Sequence, residues 1–256
     1  MENVFKQIET TLQKNIEDVY RLMEFDDQVV EFAKTTLKRV DENLKKGELD
    51  NPSFGLSEQM KQLERIQEHE SLSPLYKMML NQCNVLLVSF FSSAIEDLFK
   101  AGINELAALG KLEERLKEKL KKSELKMSVL ELINLGNQQS SRIGDLVIQK
   151  AKISFQDMQS IKRVFDNYFS ISIDQDEVVN TIIFSQAARH AIVHDSGKIN
   201  EKMVKQVSKA GPRSIKKNID DLEIIAFEKN EIKIIGKNMI TYFRNVRCKI
   251  ESILPA

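Results

Sequence analysis

At 256 residues the chain is long enough for one large domain, or for one domain with a sizeable extension. Its 42% hydrophobic and 30% charged residues exclude wholesale disorder, and 9 Gly, 4 Pro and no Trp favour long helices with solvated faces over a turn-rich sheet. Lys plus Arg equals Asp plus Glu at 38 each, yet residues 1–70 hold 10 basic and 16 acidic side chains, a net of −6. Residues 198–217 carry Lys198, Lys202, Lys205, Lys209, Arg213, Lys216 and Lys217 against Glu201 alone, a net of +6, so the neutral total does not exclude an anionic ligand near residue 200.

Val4 to about Lys46 reads as one long helix, with Ile8, Leu12, Ile16, Val19, Leu22 and Met23 recurring at three and four residues. Gly47–Gly55 breaks it as a loop, Ser57 opens a short charged helix to about Glu70, and Pro74 suits the first turn of the next helix. Leu75–Leu109 is apolar on most sides and belongs at the centre of a bundle or at a subunit interface. Its longest apolar run, Val85–Phe91, is too short to cross a bilayer, and Met1–Glu9 lacks the apolar core of a signal peptide. A soluble, cytoplasmic protein is therefore expected. Cys83 and Cys248 lie far apart on apolar-patterned stretches and read as reduced, semi-buried thiols, with no disulfide framework.

Residues 111–126 form a charged helix of net +3, followed by a less regular stretch over about 134–154. Helices are expected from Phe155 to Phe169 and from Glu177 to His194, the second stopping at Asp195-Ser196-Gly197, where Gly can take the left-handed conformation. Leu222–Phe227 and Glu231–Ile235 suggest a small β-hairpin, and Lys237–Ile253 a closing helix. The fold class expected is all-α: a helical bundle over 71–256 with a C-terminal hairpin, preceded by an N-terminal helical extension over 1–70.

The chemistry concentrates in one segment. Of three histidines, His69 stands alone in a charged helix and reads as a surface residue, while His190 and His194 share one helix face beside Arg189. An imidazole near neutral pKa can take a proton from a ribose 2′-hydroxyl or give one to a leaving oxygen. A guanidinium holds a phosphate and stabilises its developing charge. Arg189 and His194, five residues apart, are separated by about 140° on a straight helix. They converge on one ligand only if the helix end loosens or a second copy supplies the missing angle. Three other readings compete. Arg189 and the histidines can simply cap carbonyls and pair with Asp195. A zinc-protease reading fails because Ala191 stands where a Glu is needed, and an HD-phosphohydrolase reading of His194-Asp195 lacks its further ligands. Neither glycine-rich phosphate loop is present, so no nucleotide cofactor and no metal is expected.

Arg189-His-Ala-Ile-Val-His194-Asp-Ser-Gly197 resembles the R-x-x-x-x-H signature of HEPN domains (higher eukaryotes and prokaryotes nucleotide-binding). Ser89–Phe99, with Glu96 following small and aromatic residues, is similar to that family's early core helix. The resemblance covers about residues 75–256 and implies a metal-independent endoribonuclease leaving 2′,3′-cyclic phosphate, in a defence or toxin-like role. It implies that Arg189 polarises the phosphate, that His194 is the general acid or base, that His190 assists and that Glu96 orients Arg189. It also implies a homodimer whose two motifs form one composite site. Members with Tyr two residues after the His pair with an antitoxin; Ser196 stands there in this chain. A non-catalytic RNA-binding or scaffolding module is the alternative. Lys198, Lys202, Lys205 and Lys209 are expected to track an RNA backbone, and the acidic N-terminal helices to dock a partner protein such as an ATPase or antitoxin.

Overall fold

Apolar residues at helical spacing write the amphipathic helices of this chain, and side chains of Asp157, Asp176, Asn200 and Glu228 take up free backbone N–H groups where four of the helices begin. The computed structural model of the chain describes residues 3–46, 58–59, 61, 73–110, 139–219 and 223–254. Among them are seven named helices: α1 (Val4–Lys46), α2 (Ser73–Ala108), α3 (Gln139–Ala151), α4 (Met158–Phe169), α5 (Glu177–His194), α6 (Glu201–Val207) and α7 (Lys229–Ile253). The expected loop Gly47–Gly55, the charged helix 111–126 and His69 lie outside the described residues. So does most of the helix expected from Ser57 to Glu70, of which Glu58, Gln59 and Lys61 are described and helical.

One hydrophobic core runs through the described molecule. The 36-residue α2 lies against α1, α3, α5 and α7, with Leu87, Phe91, Ile95, Leu98 and Phe99 fully buried. Its segment Lys77–Ala108 is long and apolar enough to cross a membrane, and half of its most apolar window is covered by the other helices. The first half of α1 belongs to this core: Phe5, Leu12, Ile16, Val19 and Met23 are buried against α2 and α7. The extension expected over 1–70 is therefore not separate as far as Met23. Beyond it, Phe25, Val29 and Phe32 lie on the exposed surface.

Two expectations are corrected. Residues 139–151, expected to be irregular, are helical. Gly144, which weakens the helix signal, is required by packing: a Cβ there would sit 2.7 Å from Lys100 Cα, and its N–H reaches Asn104 Oδ1 at 2.8 Å. The hairpin does not form, because Glu231–Ile235 are the first turns of α7. Glu228 and Glu231 close a capping box, and Ile232, Ile235, Met239, Phe243, Val246 and Ile250 continue one buried helical stripe. Over five residues a strand and a helix period both fit the apolar pattern; over 25 only the helix does. The preceding segment pairs elsewhere: Ile224 bridges Lys198, and Ile225 N–H donates to Gly197 O at 2.9 Å.

Helix α5 is the central element. Asp176 caps its start by accepting from Val179 N–H at 2.8 Å, and every residue from Val179 to Ala188 is buried. Asn84 and Ser185 lock it to α2 through two buried hydrogen bonds, Ser185 Oγ to Asn84 Oδ1 at 2.6 Å and Asn84 Nδ2 to Ser185 O at 3.1 Å. Beyond that buried stretch its last turn emerges, with His190 half-buried and Val193 and His194 exposed.

Candidate active site

The emerging turn of α5 stays helical through His194, so the loosening that would bring Arg189 and His194 together on one copy does not occur. Asp195 N–H and Gly197 N–H both donate to Ala191 O at 2.9 Å, and the chain leaves through two left-handed residues, Ser196 at φ 55° and Gly197 at φ 80°. Gly197 thus takes the expected conformation, with Ser196 sharing the turn.

The helical register brings His190 and His194 together as expected, with ring centroids 4.6 Å apart and planes 49° to each other. Helix α6 adds a contact that sequence spacing does not show: Lys202, one of the lysines expected to track an RNA backbone, places its Nζ 3.3 Å from His190 Nε2. Asn200 seats that helix. Its Oδ1 accepts from Met203 N–H at 2.9 Å, and its Nδ2 donates to Asp195 Oδ2 at 2.5 Å. Asp195 is therefore a positioning residue that ties the end of α5 to the start of α6. The sequence signal for this cap was present, an Asn followed at once by Glu201 and three residues later by Met203.

The two imidazoles differ in environment. His190 is held below the ordinary imidazole pKa, first by partial desolvation, then by the positive charge of Lys202 and by His194, with Asp195 opposing. It is thereby biased toward the neutral, proton-accepting form near pH 7.

Arg189 is half-buried; its Nε is buried and has no hydrogen-bond partner among the described residues. Glu96, expected to orient Arg189, pairs instead with Lys100 at 2.8 Å, and Lys100 also holds Asp145 at 3.1 Å. Glu96 lies twelve residues, about 18 Å of helix, beyond Asn84, the α2 residue bonded to α5.

The basic run divides. Lys198, Lys202, Lys205 and Lys209 are exposed around α6. Arg213 is buried: its guanidinium donates to Ala210 O at 2.9 Å, Lys216 O at 2.9 Å and Lys217 O at 3.3 Å, and lies 5.2 Å from the Phe184 ring centroid. Lys216 pairs with Glu231 at 3.0 Å. These two cations organise the loop and contribute little to the surface field. Cys83 is buried and Cys248 exposed, both as free thiols. Among the described residues no group of three His, Cys, Asp or Glu side chains is arranged to hold a metal ion.

Comparison with known proteins gives no matching family model, no matching curated protein and no matching solved structure.

Proposed function

We propose that the chain is a metal-independent endoribonuclease of HEPN type, cytoplasmic and homodimeric, with a defence or toxin-like role. The observation that carries this reading is the contact of His190 and His194 at the emerging end of a buried helix, rings 4.6 Å apart, with Lys202 against His190 and Arg189 one residue away.

The arrangement suits cleavage by an internal nucleophile. Neutral His190 accepts the 2′-hydroxyl proton as the 2′-oxygen attacks the adjacent phosphorus. A P–O2′ bond forms and the P–O5′ bond breaks. His194, as the general acid, donates a proton to the departing 5′-oxygen, leaving a 2′,3′-cyclic phosphate and a 5′-hydroxyl. Arg189 from the facing copy and Lys202 balance the charge that develops on the non-bridging oxygens. The bias of His190 toward its neutral form supports giving it the base role rather than a merely assisting one.

The test is incubation of the purified protein with total RNA in EDTA, beside Arg189→Ala and His194→Ala. Cleavage with cyclic-phosphate ends, lost at least about 100-fold in both variants, is the expected result. Equal behaviour of all three proteins removes the enzymatic reading. A second reading, a non-catalytic RNA-binding or scaffolding module, is favoured by one feature: Phe25, Val29 and Phe32 of α1 form an exposed apolar stripe suited to a partner protein.

A further inference from the structure

A cleft of about 650 Å³ opens between the first turn of α4, the segment before α5 and α6, lined among others by Ser160, Arg163, Gln175, Ile183, Gln206 and Lys209. Its size falls in the range that takes a nucleotide-sized ligand. The cations Arg163 and Lys209 are both exposed and make no ion pair among the described residues. Among the described residues the one acid on the wall, Asp157, is engaged in capping α4, accepting from Ser160 N–H at 2.8 Å. The Lys209 backbone is pinned, because Gln175 Nε2 donates to Lys209 O at 2.7 Å while also holding Asn180 Oδ1 at 2.9 Å. A pinned backbone leaves only the lysine side chain to be ordered when an anion binds.

The cleft and the histidine pair are joined along two elements. On α5, Ile183 in the cleft and His190 are seven residues apart, hence on one face and about 10 Å from each other. Along α6, Lys202, which touches His190, precedes cleft-lining Gln206 by one turn. Between the two places on α5 stands Gln186, only 4% exposed, whose Oε1 accepts from Met158 N–H at 2.9 Å and whose Nε2 has no hydrogen-bond partner among the described residues.

We infer that this cleft is a second nucleotide subsite, holding a residue of the RNA strand close to the one placed at His190 and His194. Its phosphate lies on Arg163 and Lys209, and its ribose and base lie against Ile183 and the Gln206 amide. The inference rests on the ribonuclease reading for its strand, but its ligand chemistry, a nucleoside monophosphate, is testable alone.

The experiment is methyl NMR of Met158 and Ile183, both on the cleft wall, during titration of the full chain with adenosine 5′-monophosphate and separately with inorganic phosphate. Total-RNA cleavage is followed in parallel. Adenosine monophosphate is expected to shift both methyl groups, with the affinity roughly tenfold weaker in Arg163→Gln and again in Lys209→Gln. Unmoved methyl groups in a protein that still cuts RNA overturn the subsite and leave the ribonuclease reading intact. The same shifts produced by phosphate alone overturn its nucleotide character. Shifts with the expected variant effects but no cleavage support the subsite and remove the ribonuclease.

Discussion

Lys202 adds its positive charge to the partial desolvation that already holds His190 below the ordinary imidazole pKa. Replacing it in Lys202→Gln removes a cation 3.3 Å from His190 Nε2, so the His190 pKa rises. On the proposed ribonuclease reading His190 is a base that works only when unprotonated, so cleavage is expected to climb as pH rises through the His190 pKa, and in the variant that acid limb is expected at higher pH. Imidazole NMR titration checks the shift without needing activity; an unmoved His190 would disprove the coupling. Elsewhere, burial drives the Tyr242 hydroxyl pKa strongly upward, and that hydroxyl has no hydrogen-bond partner among the described residues, while its ring meets Phe91 edge-on at 5.6 Å. Tyr242→Phe is expected to leave stability unchanged or raise it by up to about 1 kcal/mol in urea unfolding, since an unsatisfied polar group is removed. A loss of that size would reveal a partner for the hydroxyl. The histidine contact was legible in the sequence because four residues on a helix dictate it. The Lys202 contact was not, because it depends on how Asn200 and Asp195 turn α6 back onto α5.

Two elements hide their packing from the sequence. In α3, Gly144 lowers helix propensity and breaks the apolar rhythm, yet α2 and α3 touch backbone to backbone only because it lacks a Cβ. Gly144→Ala gains helix propensity but forces α3 off Lys100, and the overpacking wins, a net destabilisation of about 1–3 kcal/mol by thermal or urea unfolding. A stabilised variant would show that α3 is free to move away. In the loop after α6, Arg213 looks like one more charge in a basic run, but its three carbonyl acceptors and Phe184 are distributed over α5 and the loop itself. Spacing alone cannot announce a buried arginine whose acceptors are main-chain atoms. The hairpin expected at Glu231–Ile235 fails for the reverse reason: five residues fit either period, and only the 25-residue stripe to which they belong distinguishes helix from strand. Where the pattern was long and regular, in α1, α2 and α5, helix type and approximate bounds followed directly from the residues.

At the scale of the molecule, the burial of α5 controls what the site can be. A helix buried on all sides from Val179 to Ala188 brings its histidines to the solvent only at its C-terminal end, and that end keeps its regular twist through His194. Arg189 and His194 therefore remain about 140° apart on one copy, and neither side chain can adopt the other's face without unwinding a helix locked by Asn84 and Ser185. In the proposed homodimer a twofold axis passing beside α5 would solve this without distortion, by setting the Arg189 of one copy against the His194 of the other. The consequence is complementation: Arg189→Ala and His194→Ala, each inactive alone, are expected to recover RNA cleavage when co-refolded, because a mixed dimer contains one intact Arg189 and one intact His194. Light scattering at micromolar concentration should give the dimer mass for the wild type and both variants. Dimers that form mixed species without any recovered cleavage would exclude a site shared in this way, and a monomer mass that persists during turnover would exclude the dimer itself.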